Sequence, residues 1–559
     1  MKTNLLLLFI LIFGTTNAQI PDWLWAKSTG GNGDDIVKSV AADIHGNVYA
    51  VGYFSSPSIV FGSNILYNYE SGTKDMFIVK YDPSGNVLWA KAAGGSENED
   101  ARSVSTDKGG NVYVGGSFQS DSISFDAITL SNPGSTFANF YIVKYDDSGN
   151  ALWAKSSTNS PSSDAAYSLC ASSSGNVLLT GAFQSNSITF DTITVTNFAA
   201  PNVDFFIVKY NSSGHVLWAK EAGGSGHDLA NAISAEANGD FFVCGYFSSP
   251  TITFGGTTLT NSSLGTNDFY TAKYDSDGNA LWAKSVGGIE NEEGRAITTD
   301  NSGNVYVGGS YQSTPVTVDT ITFTNPGLPY ADLFLVKYNA VGDVLWAKNS
   351  RNSTSSDASI SVCTDKSGDV IYAGAFQSSS ITIGSFTLNN HAAPNVDFFI
   401  AKYNSLGDVI WAEDIGGTDH DLANSICLDD NGNLFAGGYF ASPSLSFGTI
   451  PLTNNFPGVN DIFVAKTGSV NGITEPDPDK NMTIYPNPCT SSATIHFISS
   501  LIDAELNIYN LYGQKIKEMN HISGDKITID RGGLKSGIYF INITRDNKEI
   551  MTSKIVIAD

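Results

Sequence analysis

The sequence predicts an all-β protein, made of a seven-bladed β-propeller closed by pairing of its N- and C-terminal strands and of a small C-terminal β-sandwich. Three observations support this prediction. A Trp-Ala-Lys or Trp-Ala-Glu triplet recurs every 64 or 65 residues, each copy contains the same short strands and glycine turns, and no helical period of apolar residues lies between the copies. A regular period of this length is typical of a repeated structural unit, and four strands per unit are typical of a propeller blade.

Each copy of the repeat reads as four main strands and a short extra hairpin. A strand such as residues 110–118 is followed by the hairpin, by a Phe-Ile-Val-Lys-Tyr strand such as 77–81, and by a Leu-Trp-Ala-Lys strand. Phe77, Val79 and Tyr81 share one face, and β-branched and aromatic residues dominate, as expected for strands. The repeat tryptophans are Trp25, Trp89, Trp153, Trp218, Trp282, Trp346 and Trp411.

The tight turns indicate how the ring closes. Thirteen turns, such as Asp82–Asn86, contain a glycine that can adopt a positive φ. A fourteenth is missing, because Trp23–Lys27 has no Phe-Ile-Val-Lys-Tyr strand before it and Ile462–Lys466 has no Leu-Trp-Ala-Lys strand after it. Pairing of these two segments completes a seventh blade and removes the sheet edges that a linear array would expose.

A longer period of 193 residues lies above the blade repeat. It separates Trp25 from Trp218 and Trp218 from Trp411, and it relates Gly226–Asn231 to Asp419–Asn424. The blade order is therefore ABCABCA, which indicates duplication of a three-blade cassette. Equivalent blades that remain so similar argue against one blade having become a catalytic centre.

Composition and the first residues indicate an exported protein. The 559 residues include 30 Lys+Arg and 55 Asp+Glu, a net charge of −25, so nucleic acid and anionic membrane surfaces would repel the chain. Residues 1–18 combine Lys2 with the apolar run 5–13 and a small-residue end, which predicts a signal peptide, and no later segment approaches the roughly 20 apolar residues of a transmembrane helix.

A monomer is expected. The cysteines, expected to be buried thiols, are Cys170, Cys244, Cys363, Cys427 and Cys489.

One acidic residue follows each repeat tryptophan by 10 or 11 positions. These candidates for an acidic ring are Asp35, Asp100, Asp164, Asp228, Glu293, Asp357 and Asp421. Such a ring could bind calcium or attract a basic or hydroxyl-rich ligand. The favoured alternative is structural, a turn cap or an ion pair with the lysine of each Phe-Ile-Val-Lys-Tyr strand. Calcium loops of the D-x-D-x-D-G type are absent from the sequence, so no cofactor is assigned and calcium is retained only as a hypothesis.

Other candidate residues favour structural roles. His227 and His420 precede acids in equivalent blades, but blades three apart cannot readily share one tetrahedral ion, so we interpret both as solvated loop residues. The aromatic residues that end the glycine-rich strands, such as Phe118 and Tyr311, are interpreted as inter-blade packing. No G-x-S-x-G, Walker, H-E-x-x-H or paired Cys/His motif occurs, and no carboxylate pair is singled out for glycoside hydrolysis.

The composition changes after the last repeat. Residues 19–468 form the predicted propeller, 469–482 are rich in Gly, Pro and acidic residues and form a linker, and 483–559 form a second β domain. Its landmark residues are Pro486, Asn487, Pro488, Tyr509, Gly513, Gly537, Tyr539 and Lys554. Taken by themselves, these residues also fit a generic β-sandwich binding module.

Both regions resemble known families. Residues 20 to about 468 are similar to the secreted bacterial β-propeller (SBBP-like) repeats, whose unit carries D-x-x-G-N-x-Y-V-x-G followed by an aromatic residue. Residues 483–559 resemble the type A sorting domain of the type IX secretion system. The second resemblance implies recognition by the secretion machinery of an outer membrane, with the cargo released or attached at the surface of a Gram-negative bacterium.

The sequence therefore favours a non-enzymatic, extracellular or surface-bound binding or adhesion module that presents a rigid, multivalent rim to a glycan or protein. Two alternatives remain open, a secreted hydrolase that acts on polysaccharide and a propeller that only stabilises a surface assembly.

Overall fold

The computed structural model of the chain contains strands and no helix among the residues it describes, and therefore no helix there that could cross a membrane. The chain divides into two compact units, Met1–Val470 and Asn471–Asp559. The predicted signal peptide and most of the predicted linker, 471–481, lie outside the described residues. The described residues are 21–133, 136–157, 162–325, 327–351, 353–470, 482–485, 487–510, 514–545 and 548–558.

The first unit is the predicted propeller, with seven four-stranded antiparallel sheets. The inner strands are β2 (Asp35–Ala42), β8 (Glu99–Thr106), β14 (Asp164–Ala171), β20 (Asp228–Ala235), β26 (Glu292–Thr299), β32 (Asp357–Thr364) and β38 (Asp421–Leu428). The second strands are β3 (Val48–Phe54), β9 (Val112–Phe118), β15 (Val177–Phe183), β21 (Phe241–Phe247), β27 (Val305–Tyr311), β33 (Val370–Phe376) and β39 (Asn433–Phe440).

The other half of each blade contains a third and an outer strand. The third strands are β6 (Asp75–Tyr81), β12 (Asn139–Tyr145), β18 (Asp204–Tyr210), β24 (Asp268–Tyr274), β30 (Asp332–Tyr338), β36 (Asp397–Tyr403) and β42 (Asp461–Ser469). The outer strands are β7 (Val87–Ala93), β13 (Ala151–Ser156), β19 (Val216–Ala222), β25 (Ala280–Val286), β31 (Val344–Asn349), β37 (Val409–Ile415) and, in the seventh blade, β1 (Trp23–Thr29).

A two-stranded hairpin is inserted between the second and third strands of every blade. The hairpins are β4–β5 (Ser58–Phe61, Asn64–Tyr67), β10–β11 (Ser122–Phe125, Ile128–Ser131), β16–β17 (Ser187–Phe190, Ile193–Thr196), β22–β23 (Thr251–Phe254, Thr257–Thr260), β28–β29 (Val316–Val318, Ile321–Phe323), β34–β35 (Ser380–Ile383, Phe386–Asn389) and β40–β41 (Ser444–Phe447, Ile450–Thr453).

The ring closes in the register that the other blades use. In the first blade Lys80 of β6 lies opposite Trp89 of β7, and in the seventh blade Lys466 of β42 lies opposite Trp25 of β1. The strand from the start of the chain thus replaces the outer strand that the last repeat lacks. The predicted closure is present in the structure, and β38, the first strand of this sheet, packs beside β2 of the first blade.

Serine hydroxyls join neighbouring inner strands near the propeller axis. The amide of Val104 donates to Ser39 Oγ at 3.3 Å, and the amide of Leu169 donates to Ser103 Oγ at 3.0 Å. The same bond occurs where the last blade meets the first, from the Val40 amide to Ser425 Oγ at 3.1 Å. Each serine follows a β-bulge in its inner strand, which turns the hydroxyl toward the next blade.

The repeat tryptophan and the third-strand lysine of one blade donate hydrogen bonds to the next blade. Trp153 Nε1 and Lys144 Nζ both donate to the Ser212 carbonyl of the next blade, at 3.1 and 3.0 Å. At the closure, Trp25 Nε1 and Lys466 Nζ both donate to the Pro83 carbonyl, at 3.1 and 3.0 Å. The indole ring also covers the turn glycine of that blade, so a β-carbon there would collide with the ring.

The second unit is one continuous sheet of five strands, where the sequence predicted a sandwich. The long strands β44 and β45 bend through both halves of the sheet, so the two halves share them and enclose one apolar core. β43 pairs with the start of β44, and β46 with its end. The strands are β43 (Met482–Tyr485), β44 (Ser492–Tyr509), β45 (Lys515–Asp530), β46 (Gly537–Arg545) and β47 (Lys548–Ile557).

Deletion of Gln19–Lys27 should destabilise the propeller by several kcal/mol, because the seventh blade loses its outer strand and the packing of Trp23 and Trp25. Within the same strand, Trp25→Ala should lower the free energy of unfolding by about 3–5 kcal/mol, whereas Leu24→Ala, at an exposed position, should change it by less than about 0.5 kcal/mol. Chemical denaturation followed by tryptophan fluorescence measures all three. Equal stability of Trp25→Ala and the wild type would contradict the closure.

Candidate functional site

The longer connections of the propeller gather on one face. Asp35 at the start of β2 pairs with Phe54 at the end of β3, and Phe54 pairs with Asp75 at the start of β6, so all three lie at the same end of the blade. The hairpins and the links between blades leave from this end, which we call the loop face. The opposite end has only tight turns such as Asp43–Asn47 and Asp82–Asn86, and we call it the turn face.

A carboxylate begins every inner strand at the loop face. These residues, each at most 1% exposed, are Asp35, Glu99, Asp164, Asp228, Glu292, Asp357 and Asp421. Five of them are residues of the predicted acidic ring. In the two B blades the buried position belongs to Glu99 and Glu292, and the predicted Asp100 and Glu293 follow them as half-buried residues.

Most of the buried inner-strand carboxylates cap the loop that ends the second strand. Asp228 accepts a hydrogen bond from Ser249 Oγ at 2.6 Å and two more from the amides of Ser248 and Ser249. In a B blade the longer Glu99 reaches the equivalent Ser120 amide at 3.0 Å. This capping matches the structural alternative that the sequence favoured for these acids.

Asp100 and Glu293 instead form ion pairs next to the inner-strand bulges. Asp100 accepts from Arg102 Nε at 2.8 Å, and Glu293 accepts from Arg295 at 2.9 Å. Arg102 also lies over the ring of Tyr167 in the next blade, 5.3 Å from its centroid. Alternation along a strand turns residues 99 and 100 to opposite sides, which explains why one is buried in the cap and its neighbour pairs with arginine.

A second buried carboxylate faces the first across most blade junctions. It begins the third strand of the preceding blade, and the two carboxylates repel each other. The junction pairs, third-strand residue first, are Asp75 and Glu99, Asp204 and Asp228, Asp268 and Glu292, Asp332 and Asp357, Asp397 and Asp421, and Asp461 and Asp35. At the remaining junction Asn139 takes the place of the aspartate, and Ser157 bridges it to Asp164.

Burial makes the carboxyls of these junction pairs weaker acids than usual. It raises the pKa of Asp75 to about 6 and that of Glu99 to about 7, and repulsion by Asp75 adds to the shift of Glu99. Asp75 Oδ1 and Glu99 Oε2 are buried without a hydrogen-bond partner among the described residues. Because two bare carboxylates are costly in such a site, the pair favours retention of a proton.

The blade lysines lie at the turn face, far along the strand from the ring acids. Lys402 Nζ is 2.8 Å from Asp365 and 3.2 Å from Asp369, both in the first turn of its own blade. Lys80 likewise pairs with Asp43 of its first turn, at 3.8 Å, and with Asp147 of the next blade. The proposed pairing of these lysines with the ring acids is therefore wrong, because the lysine is the sixth residue of a strand whose first residue is at the loop face.

The two candidate histidines have a structural contact. His227 Nδ1 accepts the Val203 amide at 3.2 Å, and His420 Nδ1 accepts the Val396 amide at 3.1 Å. Each bond fixes the tautomer with the proton on Nε2 and holds the start of a third strand. The rings are otherwise exposed, as the sequence suggested for loop histidines.

The aromatic residues that end the second strands belong to the core. Phe118, Phe183, Tyr311 and Phe376 are fully buried, which agrees with their interpretation as packing residues.

Large exposed side chains are found instead in the loops that precede the third strands. These residues, 46–75% exposed, are Tyr69, Phe137, Phe198, Leu264, Tyr330 and Phe456. The sixth blade presents the half-exposed His391 at this place.

An asparagine fixes each of these loops. In the third blade Asn197 Nδ2 donates to the Phe183 carbonyl at 3.1 Å and to the Asn202 carbonyl at 2.8 Å, which spans the loop. The equivalent residue occurs in all seven blades, seven positions before the first residue of the third strand. This seven-residue spacing is the sequence signal for the loops, and the strand and turn motifs alone do not reveal it.

The landmark residues of the second domain are partly described. Asn487 Oδ1 accepts the Val556 amide of β47 at 2.8 Å, directly before Pro488. Tyr509 ends β44, Gly537 begins β46, and Tyr539 donates its hydroxyl to the Lys535 carbonyl at 3.0 Å. Lys554 lies in β47 opposite Phe540 of β46. Pro486 and Gly513 lie outside the described residues.

Comparison with known proteins identifies the second domain. Residues 483–558 match the family described as the secretion system C-terminal sorting domain. The chain is a secreted β-propeller with a type IX sorting domain. The match confirms that residues 483–558 are a sorting domain, and such a domain implies the type IX secretion machinery.

Relatives and solved structures have low identity to the chain. A WD repeat-containing protein, L264, of Acanthamoeba polyphaga mimivirus is 25% identical over 453 residues, 66% of this chain and 32% of that protein. The regulatory protein FlaEY of Caulobacter vibrioides is 28% identical over 111 residues, 20% of this chain and 12% of FlaEY. The chain thus spans about a third or less of the length of these relatives.

Two similar structures are Sqt1 from Chaetomium thermophilum and PorZ of Porphyromonas gingivalis. Sqt1 is 9% identical with a TM-score of 0.40, over 80% of this chain and 99% of Sqt1. PorZ, described as an essential bacterial surface component of the type-IX secretion system, is 10% identical with a TM-score of 0.18, over 96% of this chain and all of PorZ.

The stability of the propeller should fall as the pH rises from about 4 to about 8. The junction carboxyls have a higher pKa in the folded chain than in the unfolded chain, so the folded state binds more protons in this range and loses that advantage as they dissociate. The expected loss is on the order of 1 kcal/mol for each pKa unit by which a carboxyl is raised. Melting temperatures measured across this pH range test the sign.

Asp75→Asn should flatten this pH dependence, since Asn139 shows that an asparagine fits at this position. The variant should melt above the wild type at pH 8 and near it at pH 5. Asp277→Asn, at an exposed turn, is the matched control and should follow the wild type at both values. A variant with the wild-type slope would show that the Asp75 junction does not hold a proton.

Calcium binding to the acidic ring stays a prediction. If the ions occupy the junctions, calorimetry of the metal-free protein with CaCl₂ should give heat, and a chelator should lower the melting temperature at pH 8, where the carboxylates are charged. No heat and an unchanged melting temperature would remove calcium from consideration.

Proposed function

We propose that the propeller is a non-enzymatic binding or adhesion module that holds a glycan or protein at the cell surface or outside the cell. The observation that supports it is the loop face, where every blade presents a large exposed side chain from a loop held by an asparagine. Exposed aromatic and aliphatic groups on fixed loops are the usual contact residues of binding surfaces.

The rigidity of the loops favours recognition. Asn197 joins the end of the second strand to the start of the third, so Phe198 is displayed on a loop whose two ends are fixed. A side chain that is already ordered loses little conformational entropy when a partner binds. The same construction around the ring gives several weak contacts that act together, which suits a repetitive ligand.

The exposed residue does not lie at the same offset from the loop asparagine in every blade. Tyr69 and Phe198 directly follow the loop asparagine, whereas Leu264 lies three residues after it and Phe137 five. Contacts that vary in side-chain type and offset around one scaffold favour a shaped partner surface or a branched glycan over a single small substrate.

The hydrolase alternative receives less support from the acids. Carboxyls with a raised pKa are candidates for general acids, but those of the junctions, such as Asp75 and Glu99, are at most 3% exposed. A polysaccharide on either face does not contact them. We therefore favour binding without cleavage.

The sorting domain gives the setting of this function. Through it the type IX machinery would carry the propeller across the outer membrane of a Gram-negative bacterium, after which the propeller is released or attached to the surface. The SBBP-like repeat type and the N-terminal signal peptide are part of this proposal.

A glycan array and a polysaccharide pull-down with the mature chain, residues 19–559, test the binding function. A double variant, Phe198→Ala with Phe456→Ala, should reduce retention at least tenfold, equivalent to about 1.4 kcal/mol. Leu217→Ala, which removes a comparably exposed side chain from outer strand β19, is the control and should bind like the wild type. Release of oligosaccharides would contradict the non-enzymatic function, and retention unaffected by the double variant would exclude the loop face.

A further inference from the structure

A groove of about 510 Å³ lies between blades five and six on the outer side of the propeller. Its walls come from the hairpin β28–β29 and outer strand β31 of blade five, and from the hairpin β34–β35 and the turn before β37 of blade six. Lys348, Arg351 and Phe323 line one side, and Gly384 and Asp408 line the other. The volume is within the range of small-molecule sites, roughly 300–1,000 Å³.

Lys348 lacks the acidic partner that Lys91 and Lys155 have at equivalent positions. At two other junctions the equivalent lysine pairs with an aspartate in the hairpin turn of the next blade, Lys91 with Asp126 at 2.6 Å and Lys155 with Asp191 at 3.0 Å. The 193-residue period aligns Lys155 with Lys348 and Asp191 with Gly384. Among the described residues no carboxylate lies within ion-pair distance of Lys348, so the groove has a half-buried, uncompensated ammonium group.

Arg351 adds a second cation to the same groove. The propeller has three arginines, and Arg102 and Arg295 are ion-paired, whereas Arg351 has no carboxylate partner in the described part of the chain. Its backbone is fixed, because its amide donates to the Thr382 carbonyl at 3.0 Å and its carbonyl accepts the Thr382 amide at 2.8 Å. The backbone of Arg351 is therefore fixed beside the groove, and its side chain is exposed there.

The chemistry of the lining identifies a class of ligand. A guanidinium group binds carboxylate or sulfate oxygens through a two-pronged hydrogen bond, and an ammonium group adds a point charge. The one acid of the lining, Asp408, accepts from Asn404 Nδ2 at 3.2 Å. Thr322, Asn349 and Ser385 supply hydroxyl and amide groups that suit sugar hydroxyls. On a protein of net charge −25, this groove is lined by two cationic side chains that have no ion pair among the described residues.

We propose that this groove is a binding site for an acidic saccharide, a sugar that carries a carboxylate or a sulfate group. The site is separate from the loop face and goes beyond the proposed function, since it is specific for charge and occurs at one junction. The two equivalent blades differ here, because positions 384 and 351 have glycine and arginine where the equivalent positions have Asp191 and Thr158.

Calorimetric titration of the mature full chain tests the proposal. The probes are tri-galacturonic acid, a sulfated galactose trisaccharide and the neutral galactose trisaccharide. The two acidic probes should bind and weaken with added salt, and the neutral probe should bind at least tenfold more weakly. Arg351→Gln and Lys348→Gln should each reduce affinity at least tenfold, whereas Lys155→Gln at the equivalent, already paired position should have no effect.

A matched pair of variants isolates the charge. Gly384→Asp places the carboxylate of the equivalent blade in the groove and should abolish binding, while Gly384→Asn has nearly the same size and should retain it. Gly384 has a φ of 61°, and Asp191 adopts 50° at the equivalent position, so both residues suit the backbone. Thermal unfolding of both variants checks that the added side chain, which must displace Val409, leaves the propeller folded.

The outcomes separate the alternatives. Binding of only one acidic probe supports the site and assigns the anionic group. Equal affinity for the neutral probe, failure of both acidic probes, or unchanged affinity in Arg351→Gln would overturn it. Loss of binding in both folded Gly384 variants would show that size and not charge decides, which would also overturn it. The Phe198→Ala and Phe456→Ala variant should leave groove binding intact, so failure at the loop face and failure here are distinguishable.

Discussion

The pairing of β1 with β42 is the constraint on which the propeller depends. It completes the seventh sheet in the register of the other six, and it places Trp25 and Lys466 on the same carbonyl of the first blade. Without this pairing, the seventh blade would lack its outer strand, and β42 would remain as an open sheet edge. The closed ring fixes the orientation of every blade. The geometry of the loop face and of the outer groove therefore depends on this one strand pairing.

Each junction between blades combines two kinds of chemistry. At the turn face, lysine and tryptophan donate to a carbonyl of the next blade, and nearby carboxylates compensate the lysine charge. At the loop face, two carboxyls meet without a cation, and Asp75 and Glu99 have raised pKa values because of burial. Hydrogen bonds and compensated charges therefore stabilise the turn-face end of the junction, whereas its loop-face end depends on protonation. A mildly acidic medium, in which the junction carboxyls keep their protons, strengthens the second end.

Repetition made the architecture predictable and left the contacts undetermined. The recurring tryptophans, the thirteen glycine turns and the unpaired terminal strands predicted the blade number and the closure, because each follows from a count. Burial of Glu99 instead of Asp100 follows from strand register, because Glu99 pairs with Phe118 in the same way as Asp35 pairs with Phe54. The lysine partners depend on which strand end a residue occupies, and the free charge of Lys348 depends on Gly384, 36 positions away. A period shows which residues are equivalent but not what they face.

The origin of the outer strand of the last blade has a consequence for biogenesis. Among the propeller strands, β1 is synthesised first and its partner β42 last, and the sorting domain comes later in the chain. A chain interrupted during synthesis lacks both β42, which closes the ring, and the sorting domain, which directs export. The order of the elements therefore couples completeness of the cargo to its secretion, and the first strand must wait, unpaired, until the whole repeat region has been synthesised.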